Sequence, residues 1–174
     1  SSNTYRVIND GFGSTKYLDS IENVIGTSFS DIISGNADAN QLVGGAGNDT
    51  LKGGLGADLL NGGADEDWAY FNDIVVSGAT IVLDTDGDNT NGSSGTSNVT
   101  GYTTTLVGIE HVKTTSLADI ITGDSNNNSI LAGSGNDTIY SSKGIDYVDG
   151  EEGTADLVDF ARSDVTAVLI INLG

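Results

Sequence analysis

The chain repeats a nine-residue step that is dense in glycine and closes on an aspartate. Consecutive steps that begin at Gly44, Gly53 and Gly62 follow the template G-G-x-G-x-D-x-U-x, in which U is apolar. Glycine adopts positive φ angles without a steric penalty, so it suits a turn that aims several backbone carbonyls at one point. The residues around U alternate between inward and outward positions, as strand geometry requires. The template therefore predicts short strands and tight turns that stack into a solenoid.

Two blocks of repeats are present, and they are related by duplication. The first block holds about five steps over residues 26–70. A shift of 88 residues lays Ile21-Glu22-Asn23-Val24 on Ile109-Glu110-His111-Val112. It also superposes the sixth positions, Asp31, Asn40, Asp49 and Asp58, on Asp119, Asn128, Asp137 and Asp146, with Asp67 on Asp156 after one inserted residue. The second block is more divergent, since Ala132 replaces a first-position glycine and Ser141-Ser142 replace a glycine pair.

The blocks divide the chain into five segments. We expect an N-terminal strand or cap over residues 1–20, a first block over 21–70, a connector with capping strands over 71–108, a second block over 109–160, and the start of a further unit or a C-terminal cap over 161–174. Within the connector, the pattern predicts strands at Ile74–Val76, Ala79–Asp84 and Tyr102–Val107 around a polar loop from Asp86 to Gly101. Because 88 is not a multiple of the eighteen residues in a full coil, we expect two short rolls separated by the capping strands.

Single positions in the turns and strands carry their own predictions. Positive φ is expected at the turn glycines Gly45, Gly47, Gly54, Gly56, Gly133, Gly135, Gly144 and Gly153. Asp65 stands where the template has glycine, and Asp is among the few residues that tolerate such angles. The residues expected to point inward, one per nine-residue step, are Ile33, Leu42, Leu51, Leu60, Ala69, Ile121, Ile130, Ile139, Val148 and Val158. One aliphatic side chain per step makes a thin core.

The sixth-position side chains are predicted to form columns of oxygen ligands. If each step turns the chain by half a coil, turns eighteen residues apart stack and a cation sits between them. The expected columns are Asp31, Asp49 and Asp67; Asn40 and Asp58; Asp119, Asp137 and Asp156; and Asn128 and Asp146. Roughly three gaps per block give about six ions per chain if every gap is filled. Carboxylates and carbonyls without cysteine or clustered histidine suit Ca²⁺ or Mg²⁺, and flexible carbonyl-rich turns favour Ca²⁺.

The charge balance limits the classes of partner. The chain has 25 acidic and 6 basic residues and a formal net charge of −19, which argues against nucleic acid or an anionic membrane as a partner. Bound Ca²⁺ would offset much of this self-repulsion, so we expect folding to be coupled to metal binding. No apolar run in the sequence approaches the roughly 20 residues that span a bilayer.

The segments GGAGNDTLKGGLGADLL and AGSGNDTIY resemble the repeats-in-toxin (RTX) family of calcium-binding proteins. The resemblance extends over roughly residues 21–160. It implies an all-β fold, the parallel β-roll, here as two short rolls joined by a strand-containing connector. It also implies that each ion is held by sixth-position carboxylates of two stacked turns and by carbonyls of the first four turn positions.

Carried onto this chain, the resemblance implies a set of metal-site residues. Departures from the pattern at Asn40, Asn128, Ser141 and Ser142 indicate weak or empty sites. The implied residues are Gly26, Ser28, Asp31, Asn40, Gly44, Gly45, Ala46, Gly47, Asp49, Gly53, Gly54, Leu55, Gly56, Asp58, Gly62, Gly63, Ala64, Asp65, Asp67, Asp119, Asn128, Gly133, Ser134, Gly135, Asp137, Gly144, Asp146 and Asp156.

The family resemblance also implies a cellular context. Its members are typically exported from Gram-negative bacteria through a one-step channel, unfolded in the low-calcium cytosol and folding outside, so the expected location is secreted, extracellular or at the bacterial cell surface. The roll is usually a carrier module of a toxin, protease, lipase, epimerase or adhesin. We therefore expect a calcium-dependent folding and structural module of an exoprotein or large adhesin, with any carbohydrate or cell-surface ligand bound through other parts of the parent protein.

Catalysis by this chain is not expected. The sequence has no His-Glu-x-x-His motif and no nucleophile elbow, and its single histidine, His111, aligns with Asn23 of the first copy. One alternative is a carrier module of a secreted polysaccharide-modifying or proteolytic enzyme. Another is a sugar- or ice-binding module, in which Trp68, Tyr70 and Phe71 would stack on a sugar ring instead of closing the end of a roll.

Overall fold

A computed structural model describes residues 4–8, 15–72, 77–83, 95–99, 101–140, 142–160 and 170–172. All regular structure in these ranges is β-strand. The strands in chain order are β1 Thr4–Ile8, β2 Lys16–Asp19, β3 Asn23–Ile25, β4 Ile32–Ser34, β5 Gln41–Ala46, β6 Thr50–Lys52, β7 Leu59–Ala64, β8 Trp68–Tyr70, β9 Thr80–Val82, β10 Gly95–Val99, β11 Tyr102–Val107, β12 His111–Lys113, β13 Ile120–Thr122, β14 Ser129–Leu131, β15 Ser134–Gly135, β16 Thr138–Tyr140, β17 Tyr147–Asp149, β18 Glu152–Gly153, β19 Leu157–Asp159 and β20 Ile170–Asn172.

Successive nine-residue steps place their strands alternately in two facing sheets. The first sheet has the order β2-β1-β4-β6-β8-β12-β14-β17-β20, and the second has the order β19-β16-β13-β9-β10-β11-β7-β5-β3. Repeat strands pair in parallel with a register of eighteen residues, so that Ile33 lies beside Leu51 and Leu42 beside Leu60. The expected all-β parallel roll is confirmed.

The connector does not divide the molecule into two rolls as expected. In the first sheet the blocks are bonded directly, because β8 and β12 are parallel neighbours with Ala69 beside Val112. In the second sheet the antiparallel strands β9, β10 and β11 are inserted, and the outer two of them pair in parallel with β13 and β7. The outer strands of this meander run in the direction of the repeat strands, so the stack continues past it.

Residues of the connector differ in part from their expected roles. The predicted strand Tyr102–Val107 is present, whereas β10 occupies Gly95–Val99 within the predicted loop. The predicted strand Ile74–Val76 lies outside the described residues, as does most of the segment after Asp159. At the other end of the chain, β1 pairs antiparallel with β2 and with β4 and so covers the outer side of the first sheet's initial repeat strand.

The core is formed by two facing columns of apolar side chains, one from each sheet. The predicted inward residues are buried, with Val158 partly so, and these apolar columns are extended by residues such as Val24, Phe71, Ile81, Leu106 and Val112. Phe71 lies in mid-roll, and Trp68 and Tyr70 are half-buried on the outward face of β8. The expectation that these three aromatic residues close the end of a roll is therefore wrong, because β12 continues the stack beyond them.

Backbone angles follow the template except in the last turn. The predicted positive φ is present at seven of the eight glycines and at Asp65, where φ is 79°. Gly153 is the exception, and Glu151 has φ of 54° instead. This turn contains one residue more than the template, which moves the left-handed position. The described residues contain no helix long and apolar enough to cross a membrane.

Candidate metal sites

The turns between strands stack along two opposite edges of the roll. At one edge the chain passes from the second sheet to the first, and we call this the first edge. Its turns are 26–31, 44–49, 62–67, 108–110, 123–128 and 142–146. The second edge carries the return turns 35–40, 53–58, 114–119, 132–137 and 150–156. Sixth-position residues of each block thus stack in the predicted columns. The blocks exchange edges, however, so Asn128 and Asp146 continue the column of Asp67.

Hydrogen bonds run along each column from one coil to the next. The backbone N–H of Asp31 donates to Oδ1 of Asp49 at 2.7 Å, and that of Asp49 donates to Oδ1 of Asp67 at 2.8 Å. The same bond joins Asn40 to Asp58, Asp119 to Asp137, Asn128 to Asp146 and Asp137 to Asp156, at 2.8–3.0 Å. These bonds hold the carboxylates inward along the stack, and all but Asp156 are buried.

One oxygen of several of these carboxylates has no partner in the protein. Among the described residues, the buried side-chain atoms without a hydrogen bond are Oδ1 of Asp31 and Oδ2 of Asp49, Asp58, Asp67 and Asp137. A buried, unpartnered carboxylate oxygen is costly, and native proteins pair such groups or place them on a metal. The five atoms therefore mark positions where a cation fits.

The turn glycines form a cradle of oxygen atoms around these positions. A Cβ atom placed on Gly44 would overlap both Oδ2 of Asp49 and the carbonyl oxygen of Gly62 in the next coil. At Gly26 the overlapping atoms are the Gly44 carbonyl oxygen and Oδ2 of Asp31, the Asp31 oxygen that accepts from Thr27. Carboxylate and carbonyl oxygens thus converge where the missing side chain leaves room. An oxygen-only donor set is the one that Ca²⁺ prefers.

Carboxylates enter these gaps singly, one from each coil. No group of three or more His, Cys, Asp or Glu side chains that could hold a metal occurs in the described part of the chain. A cation between two coils would therefore depend on backbone carbonyls for much of its coordination. That demand explains the density of glycine, since carbonyls reach the gap only from a tightly wound turn.

The environment of the column disfavours free carboxylate charges. Burial raises the pKa of Asp49, Asp58 and Asp137 to about 6 and that of Asp67 to about 8, against the opposing effect of the backbone hydrogen bonds. Neighbouring carboxylates raise the pKa of Asp49, Asp67 and Asp137 further. Burial also raises the pKa of Asp146. A divalent cation would compensate these charges directly.

Turns with asparagine at the sixth position complete their hydrogen bonds internally. Oδ1 of Asn40 accepts from the N–H of Asn36 at 2.9 Å, and its amide donates to Oδ1 of Asn36 at 3.2 Å. The amide of Asn128 donates to Asp124 at 2.9 Å and to the carbonyl of Glu110 at 3.1 Å. An asparagine supplies the donor that an aspartate lacks, so these turns present no orphaned oxygen.

Two aspartates of the second block are closed by hydroxyl groups instead. Asp119 accepts bonds from both the N–H and the Oγ1 of Thr115, at 2.9 Å and 2.9–3.1 Å. Asp146 accepts from Oγ of Ser142 at 3.2 Å. The sequence template did not indicate Thr115 or Asp124, because both lie at turn positions where the template has glycine. The signal available was the replacement itself, a polar side chain four residues before the sixth position.

The remaining residues of the predicted set lie on the rims of the turns. The left-handed glycines Gly45, Gly54, Gly63, Gly133 and Gly144 each lie against a backbone carbonyl of the preceding coil, where a Cβ would collide. Side chains of the third turn position are exposed or half-buried; these residues are Ser28, Ala46, Leu55, Ala64 and Ser134. Asp65 accepts a bond from the N–H of Gly47 at 3.0 Å.

Fold and site together define a metal-binding β-solenoid with oxygen ligands between stacked turns. A family model described as the RTX calcium-binding nonapeptide repeat matches the chain in four copies, over residues 19–51, 34–69 and 114–154. These matches cover more than half of the chain, which belongs to this family of calcium-binding repeats. Comparison with curated proteins gave no match. RTX repeats bind calcium and are typical of secreted bacterial proteins.

Proposed function

We propose that this chain is a calcium-dependent folding and structural module of a secreted bacterial protein, exported through a one-step channel and belonging to a large adhesin or other exoprotein. It performs no catalysis itself. The proposal rests above all on the unpartnered buried carboxylate oxygens of Asp49, Asp58 and Asp67. Such a column is unfavourable until cations enter it, so the roll forms only where calcium is abundant.

The rest of the roll supplies little cohesion to offset this cost. Its core receives about one aliphatic side chain from each nine-residue step, and most of its charged residues are acidic. Calcium binding to the folded state alone stabilises it by mass action, by about 4 kcal/mol when free calcium exceeds the dissociation constant a thousandfold. A low-calcium compartment then keeps the chain unfolded for export, and a high-calcium medium folds it.

The test is a calcium titration of the metal-free chain followed by far-UV circular dichroism. We expect a large gain of β signal with calcium and a much smaller one with magnesium, because magnesium requires tighter octahedral geometry. Asp49→Asn should raise the calcium concentration at the midpoint by about tenfold, since ligand charge sets affinity. Asp38→Asn, at an exposed turn position, is the matched control. A spectrum unaffected by chelator would contradict the proposal.

A sugar-binding role is a second candidate, favoured by one surface cluster. Trp68 lies 5.6 Å from Tyr70 and 5.0 Å from His111 between ring centroids, and the Lys52 ammonium lies 5.3 Å from the Tyr70 ring. Half-buried aromatic rings on an outward sheet face are suited to stacking on a pyranose ring. Quenching or shift of Trp68 fluorescence by polysaccharide, lost in Tyr70→Ala, would support it, and an unchanged spectrum would exclude it. If the module is instead the carrier of a secreted enzyme, it does not need to bind a sugar.

A further inference from the structure

We propose an additional divalent-cation site at the seam of the two blocks, formed by the carboxylates of Asp67 and Glu110 and the carbonyl oxygen of Gly108. The seam is the place on the first edge where turn 62–67 stacks on the segment Gly108–Glu110. The inference rests on the proposed calcium-dependent folding. It adds a position that the nine-residue template does not contain, because Glu110 lies outside the repeats.

Glu110 takes the place of a sixth-position aspartate in the column. Its Oε2 accepts a hydrogen bond from the N–H of Asp67 at 2.9 Å, as Asp67 accepts from Asp49 one coil earlier. The turn before Glu110 has only Gly108 and Ile109, instead of five residues. The longer glutamate side chain therefore reaches the column from a shortened turn.

Gly108 reproduces the carbonyl half of the repeat site. A Cβ placed on Gly62 would overlap both the Gly108 carbonyl oxygen and Oδ2 of Asp67. This is the arrangement seen at Gly44, where the partners are the Gly62 carbonyl and Asp49. Gly108 has φ of 53°, an angle that glycine adopts without a steric penalty. The seam thus has the same convergence of carboxylate and carbonyl oxygens as the repeats.

Two acids are buried close together at the seam, and a cation would compensate their charge. Asp67 is fully buried and its Oδ2 lacks a partner, while Glu110 is 6% exposed. The nearby His111 does not supply the charge, because its Nδ1 accepts a bond from the N–H of Ser129 at 3.0 Å and its Nε2 faces Glu66 at 3.0 Å. An imidazole that accepts at one nitrogen and donates at the other is neutral.

The shortened turn leaves an open notch that gives access to the seam. Its volume is about 440 Å³, and it is lined by Asp65, Glu66, Glu110, Ser125, Asn126 and Asn127. Water in the notch would complete the six to eight oxygen ligands that Ca²⁺ takes. The wall across the notch belongs to the second block, so an ion here ties the first block to the second. On the second edge the connector interrupts the column, and the described residues there show no corresponding pair of carboxylates that joins the two blocks.

The chain contains its own control for a test of this site. The motif Ile-Glu-x-Val occurs at Ile21–Val24 and at Ile109–Val112, and Glu22 is exposed where Glu110 is buried. Glu110→Gln keeps the side-chain length and an oxygen that accepts from the Asp67 N–H, but removes the charge. Glu22→Gln makes the same chemical change without a site.

The readouts are the number of ions bound, by equilibrium dialysis against calcium chloride, and the calcium dependence of Trp68 fluorescence. We expect Glu110→Gln to bind one ion fewer than the wild type, and its Trp68 transition to require about tenfold more calcium. Glu22→Gln should match the wild type in both. Glu110→Asp, which retains the charge on a side chain one methylene shorter, should bind the ion more weakly than the wild type but more tightly than Glu110→Gln.

Each outcome bears on one claim. If Glu110→Gln and Glu22→Gln bind equal numbers of ions with equal Trp68 midpoints, the seam site is refuted while calcium-dependent folding stands. If Glu110→Gln and Glu110→Asp lose calcium binding equally, or if neither variant folds, Glu110 serves packing alone and the seam site is also refuted. A wild-type chain that ignores calcium would instead overturn the proposed function.

Discussion

Aspartate and asparagine occupy the same turn position in this roll and meet different needs there. Asn40 and Asn128 bring amide donors that pair with oxygens of their own turns. Asp49 and Asp67 bring a second acceptor oxygen, Oδ2, which has no hydrogen-bond donor in the protein. A change of one atom in the side chain thus decides whether a turn closes by itself or requires a cation.

Glycine at the second turn position is required for steric reasons as well as for its φ angle. Gly45 has φ of 124°, and a Cβ there would collide with the carbonyl of Thr27. Gly101 has φ of 81° with open space around it, so Gly101→Ala should cost only the left-handed penalty of about 1–2 kcal/mol. Gly45→Ala should cost clearly more, measured as the loss in unfolding free energy at saturating calcium. Equal losses for the two variants would contradict the close stacking of the coils.

Within the repeat elements, the two blocks differ in how many of their turns are closed by protein groups. In the first block, Thr27 Oγ1 donates to Asp31 and the amide of Asn40 donates to Asn36. The unpartnered oxygens fall mainly on the first block, whereas turns 114–119, 123–128 and 142–146 are closed by hydroxyl or amide groups. We therefore expect the second block to depend less on calcium. Ion counts below the sequence-based figure of about six would follow if closed turns take no ion.

Thr115 offers a direct test of this difference between the blocks. Thr115→Ala removes a hydroxyl donor that is shared between the two carboxylate oxygens of the buried Asp119, while the backbone N–H of residue 115 still donates. Loss of a hydrogen bond to a charged group costs about 1.5–3 kcal/mol. Its exposed neighbour gives the control Ser116→Ala, for which we expect no measurable change. Thermal unfolding at fixed calcium measures both. Matching melting temperatures for the two variants would mean that the hydroxyl contributes nothing to the turn.

Local periodicity made most of these elements predictable from the sequence. The inward column, the left-handed glycines and the stacking within each block follow from spacing alone, because each coil contacts only its neighbours. The continuity at β8 and β12 does not, since it depends on how the connector pairs with distant strands. Glu110 was missed for the same reason: its place in the column is created by the connector and by no repeat. Glu151 replaced Gly153 because one inserted residue shifted the last turn.

For the molecule as a whole, buried carboxylates link folding to pH in the absence of metal. The folded-state pKa is about 6 for Asp49, Asp58 and Asp137 and about 8 for Asp67, against about 3.9 in an unfolded chain. The folded chain therefore binds more protons between these values. The penalty of burying the charges is complete above about pH 8 and disappears near pH 4.

This linkage predicts that acid partly substitutes for calcium. In the presence of EDTA, the β signal in circular dichroism should rise as the pH is lowered from 8 to about 5, because protonation removes the buried charges. In the presence of calcium, acidification has the opposite effect, because protons compete with the ion for the same carboxylate oxygens. The calcium concentration at the folding midpoint then rises as the pH falls. A metal-free chain that loses β signal on acidification would show that these carboxylates are not buried together.

The exchange of edges between the blocks has a consequence for the evolution of such chains. The 88-residue shift carries β3, in the second sheet, onto β12, in the first. Trp68 on one flank is accordingly matched by Leu157 on the opposite flank. Each further duplication of this unit would again move corresponding strands to the opposite sheet. An array of copies would therefore display any given epitope alternately on the two faces of the roll.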